Sequence, residues 1–257
     1  MRILVTGHRG YIGSALFKAL KKATRNKQDK YYTVKGIDLV EGQDLLTCEL
    51  PTDFDTLIHL AGKSGVRESM DDPAAYWMNN VEVGRRLFER FPRKRILYAS
   101  SSSMYEPDLN PYAASKFLLE EIGQRHTNSL AMRFHTVWSN HPRKGMFIDK
   151  LRNGTLEYTT NHYRDFIHQE DVIDAIMLCI ESNYKGTIDI GTGCPFRIRD
   201  FAPDLPIRLN TPHERNWTCA DTTRLKTLGW KPKHSIEKYL TNKDLGNIIN
   251  FNNGEPT

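Results

Sequence analysis

Tyr112-Ala-Ala-Ser-Lys116 follows closely on four consecutive serines, Ser100–Ser103. A phenol, an ammonium four residues on and hydroxyls at the end of a strand-like run are the parts for taking a proton off a substrate hydroxyl while a bound acceptor takes the hydride. Alone, the Tyr-x-x-x-Lys spacing is weak, because i,i+4 pairs are frequent on any helix surface. A second pattern near the N-terminus adds to it.

Gly7-His-Arg-Gly10-Tyr11-Ile12-Gly13 stands between a strand-like run, 2–6, and an apolar-periodic helix, Tyr11–Ala23. That is the context of a dinucleotide-binding turn. Gly7 permits the tight turn, Gly10 lets backbone approach a pyrophosphate, Gly13 allows close helix–strand packing, and the helix N-terminus faces the phosphates. The spacing is G-x-x-G-x-x-G rather than G-x-G-x-x-G. Asp38 ends the second expected strand, 32–38, and can accept hydrogen bonds from an adenosine ribose. Its charge repels a 2′-phosphate and favours NAD over NADP, although a guanidinium at Arg9 pulls the other way. Asp44 and Leu45 can meet the adenine edge; Asp44 can equally cap a turn.

Strand and helix signals alternate, so the expected class is α/β with a Rossmann-type doubly wound parallel sheet and a smaller C-terminal lobe. After Asp38 the segment 39–54 is too short and polar for a full crossover helix. A strand at Thr56–Ala61, a helix over 73–91, a strand at Arg95–Ser100, a helix over 112–126 and a strand over 129–134 follow. Beyond 135, short strands (155–159, 186–190, 206–209) interleave with helices near 145–153, 170–182, 221–228 and 234–246. The expected division is 1–135 for the dinucleotide domain and 136–257 for the substrate lobe, with 155–192 partly returning to the sheet through Gly186–Gly191.

The 257 residues carry a net charge of +5 with basic and acidic groups intermixed, and no aromatic–basic alternation accompanies the clusters at 18–30 and 85–95. Nucleic acid is therefore not the expected partner, whereas a small polyanion is compatible. No apolar run approaches a membrane span and no signal peptide is recognisable, so a cytoplasmic protein is expected. Cys48, Cys179, Cys194 and Cys219 show neither close pairing nor metal spacing, and read as reduced thiols.

From residue 3 to about 240 the chain resembles the extended short-chain dehydrogenase/reductase family, the nucleotide-sugar epimerases and dehydratases. The matching segments are the glycine triplet, Leu57-Ile-His-Leu-Ala-Gly62, Asn79-Asn80-Val81, Leu97–Tyr105, Pro111–Lys116, Arg164-Asp-Phe-Ile-His168 and Leu228-Gly-Trp-Lys-Pro232. The resemblance implies Tyr112 as general base, Lys116 favouring its phenolate and holding a nicotinamide ribose, and Ser101 hydrogen-bonding the reacting sugar oxygen. It also implies that Leu60, Ala61, Gly62, Asn80 and Ser100 help bind the cofactor beside Tyr11 and Ile12, and that the protein forms a homodimer.

Sugar dehydratases of this family carry an Asp-Glu pair where Ser102 and Ser103 stand, and decarboxylases usually place a carboxylate at Ser103, so both reactions are disfavoured. The serine run is most similar to C4-epimerases, above all those acting on UDP-glucuronate, which share Gly65-Val-Arg67-Glu-Ser69, Arg133-Phe-His-Thr-Val137 and Arg143-Lys-Gly-Met146. On that resemblance Arg67, Ser102, Ser103, Thr136 and Arg143 contact substrate, the last four a hexose carboxylate. Arg164 meets the diphosphate, or forms a turn with Asp165. The departures are Trp138-Ser-Asn140 for the usual Tyr-Gly-Pro, a short 146–164 segment, and a second diphosphate arginine that is not evident, Arg208 and Arg215 lying out of register. The implied activity is NAD-dependent epimerisation of a nucleotide-diphosphate sugar through a 4-keto intermediate. A reductase or decarboxylase on the same scaffold, and a non-catalytic dinucleotide-binding module, are the alternatives.

Overall fold

Ile3, Leu4 and Val5 are almost wholly buried, as a strand covered on both faces requires. They form the centre of β1 (Arg2–Thr6) in a computed structural model that describes residues 1–25 and 32–241. In chain order the other strands are β2 (Thr33–Ile37), β3 (Thr56–His59), β4 (Arg95–Ser101), β5 (Ser129–Phe134), β6 (Thr136–Trp138), β7 (Tyr163–His168), β8 (Gly186–Ile190) and β9 (Pro195–Arg197). Six of them make one parallel sheet in the order β2-β1-β3-β4-β5-β8. The chain steps outward from β1 to β2, then returns to β1's other edge as β3. That reversal opens a crevice at the strands' C-terminal ends, where such sheets take ligands.

The helices are α1 (Tyr11–Arg25), α2 (Val66–Asp71), α3 (Pro73–Tyr76), α4 (Val83–Arg90), α5 (Pro111–Gln124), α6 (Phe147–Arg152), α7 (Gln169–Glu181), α8 (Thr223–Thr227) and α9 (Ile236–Thr241). Leu16 and Leu20 of α1 join Val172 and Ile176 of α7 in the core on one face of the sheet. Leu87 and Phe88 of α4 join Leu119 of α5 on the other. As expected, no helix crosses between β2 and β3; a single 3₁₀ turn, Leu39–Glu41, begins the connection.

Other expectations need correction. The helix over 73–91 is broken by a π-turn at Trp77–Glu82, where one extra residue per turn rotates Asn80 and Val81 into the interior. The strands at 155–159 and 206–209 reduce to one bridge, Thr159 to Ile207. In their place β6, β7 and β9 form a second sheet, with β7 parallel to β6 and antiparallel to β9. The helix over 234–246 is seen as α9, and its remainder lies outside the described residues. Among the described residues, no helix is long and apolar enough to cross a membrane.

Candidate active site

The glycine turn is built by backbone contact. Gly7 has φ +71°, in the left-handed region, and a Cβ on it would lie 2.5 Å from the Ala61 nitrogen. A Cβ on Gly13 would collide with the Gly7 carbonyl oxygen, so α1 packs directly on the turn. Gly10 is different: its added Cβ would meet only the Gly7 oxygen, at 3.2 Å, and otherwise faces open space. At the end of β2, Asp38 accepts hydrogen bonds from the backbone N–H of Arg9 (2.8 Å) and of Val40 (3.1 Å), clasping this turn to the next.

Asn110 begins α5: its side chain accepts from the Ala113 N–H, with Pro111 in the first turn. This cap sets Tyr112, and Lys116 one turn further along the helix, in the wall of a cleft of about 500 Å³. The cleft gathers Gly7, Gly10, Tyr11, Ile12, Gly13, Leu60, Gly62, Ser100, Ser101, Ser102, Ser103, Tyr112, Lys116, Thr136, Arg143 and Arg164. Most of the residues singled out by sequence thus meet in one place.

Burial raises the Tyr112 phenol above its ordinary value; a hydrogen bond with Ser101 and the Arg143 guanidinium oppose the rise. Lys116 was expected to exert that pull; Ser101 and Arg143 do so instead. Burial pushes Lys116 down to about 8, against the raising effect of Glu120. Its ammonium donates to the Ala99 carbonyl at 3.0 Å, which leaves further donors toward the cleft. The Tyr112 ring is met edge-on by Tyr76, 6.1 Å away between centroids, whose hydroxyl donates to the Ser64 carbonyl.

Several expected residues do not line the cleft. The Asp44 carboxylate accepts from the Leu46 N–H, capping a turn, and Leu45 packs in the core with Leu4 and Ile37, because the polar segment after β2 folds back on the sheet. Asn80 is buried, and its amide is spent on the Lys63 backbone and the Ser115 hydroxyl, so it shapes the loop behind Gly62. Ala61 supports the glycine turn from behind.

Arg67 lies at an adjoining cavity of about 300 Å³, which shares Gly65, Val66, Thr136, Met146, Arg164 and Glu214 with the main cleft. Tyr158 lines it, with the Arg208 guanidinium 3.8 Å from its ring centroid. Arg143 donates to the Ser64 hydroxyl at 2.6 Å. Arg164 donates to the Tyr163 carbonyl and to His162 Nδ1, so the alternative of a turn with Asp165 is not taken. Asp165, fully buried, instead accepts from Thr192, Gly193 and Ala220, tying β7 to the loops after β8.

Sequence reasoning missed Glu214 and set Arg215 aside as out of register; both line the main cleft. Arg215 donates to the Ser102 carbonyl at 2.6 Å and pairs with Glu106 at 2.7 Å. Backbone pairing of Tyr163 with Asn216 and Thr218 carries the 213–218 strap to the site, a contact that no local sequence pattern announces.

Elsewhere, His168, Glu170 and His234 bring potential metal-ligand atoms within 4.8 Å of one another. His168 Nδ1 accepts from the Glu170 N–H to cap α7, and its ring stacks on His234 at 4.1 Å. A neutral imidazole has one such lone pair, and stacked rings do not converge on an ion. The cluster is a helix cap.

A glycine turn at a switch-point crevice, with a phenol, an ammonium and hydroxyls lining the same cleft, defines the class as a dinucleotide-binding protein. Residues 3–191 match the NAD dependent epimerase/dehydratase family, and the chain belongs to it. An uncharacterized protein of Methanocaldococcus jannaschii is 27% identical, over 94% of this chain and 97% of that one. Among solved structures, MoeE5 in complex with UDP-glucose and NAD aligns with a TM-score of 0.80 at 26% identity, covering 95% of this chain and 97% of its own. UDP-glucuronic acid 4-epimerase from Bacillus cereus, in complex with UDP-glucuronic acid and NAD, aligns at 0.79 and 25% identity, covering 93% and 96%. NAD is the cofactor this family uses, and the open face of Gly10 and the spare donors of buried Lys116 fit it.

Proposed function

We propose that the protein inverts the C4 hydroxyl of a nucleotide-diphosphate sugar and regenerates its cofactor in each turnover. The observation that carries this is the company of Tyr112: Ser101, Ser102 and Ser103 share its cleft, and serines stand where elimination would require carboxylates. NAD, when bound, supplies an acceptor that takes a hydride from C4 and returns it. Gly7, Gly10 and Gly13 hold its pyrophosphate against the α1 N-terminus, and Asp38 takes the adenosine ribose. Lys116 holds the second ribose through its spare donors.

Tyr112, as its phenolate, takes the O4 proton while Ser101 hydrogen-bonds the same oxygen, and the phenol so formed returns the proton after the sugar has turned. The adjoining cavity, with Tyr158 and Arg67 in its wall, receives the nucleoside. A diphosphate then spans the neck at Arg164. The solved relatives bound to UDP-glucose and to UDP-glucuronic acid support a UDP-sugar. Arg143, beside Ser64 and the serine run, suits the carboxylate of a hexuronic acid as a planar two-pronged donor.

The test is a panel of UDP-, GDP- and dTDP-sugars incubated with the purified protein. The expected result is co-purified NAD and interconversion of a UDP-sugar epimer pair without net cofactor consumption. Stoichiometric NADPH oxidation would select a reductase instead, and carbon dioxide release from UDP-glucuronate a decarboxylase.

A further inference from the structure

The neck between the cleft and the adjoining cavity already contains an anion. Glu214 lines both spaces. One carboxylate oxygen accepts from Arg67 Nε at 3.2 Å and Nη2 at 3.0 Å. The other lies 3.6 Å from Arg164 Nη2 and 3.7 Å from His162 Nδ1. The side chain is only 21% exposed, and this cationic surrounding holds its carboxyl at about 2, far below the usual range.

Its placement is fixed on both sides. Asn110 donates to the His213 carbonyl at 2.9 Å, and Arg215 is anchored to Ser102 and Glu106. Thr211 bonds His162 Nε2 at 2.9 Å. The strap therefore presents Glu214 to the arginines by construction.

Building on the nucleotide-sugar reading, we propose that Glu214 is an internal stand-in for the substrate's diphosphate, and that it sets how tightly the site holds that group. A ligand with its sugar at Tyr112 and its nucleoside in the adjoining cavity must pass its diphosphate through this neck. Arg67 and Arg164 then exchange the carboxylate for phosphate oxygens, a swap between two charge-assisted pairings. The arginines are kept compensated in the empty site, where an unpaired and partly buried guanidinium would be costly. The displaced carboxylate remains near the diphosphate and opposes it. Affinity is thereby lowered for the diphosphate in particular, and left alone for the uncharged nucleoside.

The experiment is calorimetric titration of the NAD-loaded protein with UDP and with uridine, in wild type and Glu214→Gln. Glutamine keeps the size and an acceptor oxygen but removes the charge. The expected result is UDP binding tightened by about five- to tenfold, as removal of one nearby like charge allows, with uridine binding unchanged. Unchanged or weaker UDP binding in the variant would overturn the proposal. If wild type holding NAD binds none of UDP, GDP and dTDP, the nucleotide-sugar reading falls as well. If it binds one of them and the variant gains nothing, only the role of Glu214 falls. Glu214→Ala carries the same comparison should the glutamine variant misfold.

Discussion

Glu120, on the helix that carries Tyr112 and Lys116, forms a buried ion pair with Arg133 of β5, whose Nη2 lies 2.7 Å from the carboxylate. Arg133 Nε also donates to both of its oxygens, and the Ser100 hydroxyl donates to one of them. The side chains are 1% and 15% exposed, so removing one partner strands the other's charge. Glu120→Ala is expected to cost about 3–5 kcal/mol in denaturant unfolding, whereas Glu120→Leu combined with Arg133→Met recovers most of the loss. Equal losses in the single and double variants would show that the pair is not the source.

Gly10 and Gly13 should separate in their effects. Gly13→Ala drives a methyl into the Gly7 carbonyl, and both stability and NAD retention should fall. Gly10→Ala meets only one atom, at 3.2 Å, and its methyl projects toward the place of the pyrophosphate. As purified, that variant should hold little NAD, yet with NAD stripped from both proteins it should unfold within about 1 kcal/mol of wild type. The measurement is NAD released on denaturation, compared with the unfolding midpoint.

The main sheet was legible because its strands are short apolar runs punctuated by Gly7, Asp38 and Gly62. The grouping of Tyr112, Lys116 and the serines in one cleft was legible because they fall on adjacent elements. The second sheet was not. Tyr163-Arg-Asp-Phe-Ile-His168 mixes charge into a strand, and Asp165 is tolerated there only because it is wholly buried and multiply hydrogen-bonded by loops far along the chain. The same holds for Glu214 and Arg215, whose partners Arg67, Ser102 and Glu106 are over one hundred residues away. Of the two readings open for Asp44 the structure takes the turn cap, and Leu45 packs into the core, so neither lines the cleft.

Lys116 gives a pH signature. Its ordinary value is 10.5, and burial lowers it to about 8 in the folded chain. Below pH 8 the ammonium is present in both folded and unfolded states, and the cost of burying it is full. Between about pH 8 and 10.5 the folded state loses its proton first, so that cost is relieved. Relative to Lys116→Met, wild type stripped of NAD should gain up to about 3 kcal/mol of stability across this window. A flat difference between the two proteins would mean that Lys116 is not titrating there.

The most direct test of the proposed chemistry is Tyr112→Phe, which removes one oxygen and leaves the ring against Tyr76. Epimer interconversion of the UDP-sugar found in the panel is followed in wild type and variant, together with bound NAD. The account predicts turnover reduced by at least about a hundredfold with NAD retained. Turnover within a few-fold of wild type would contradict it.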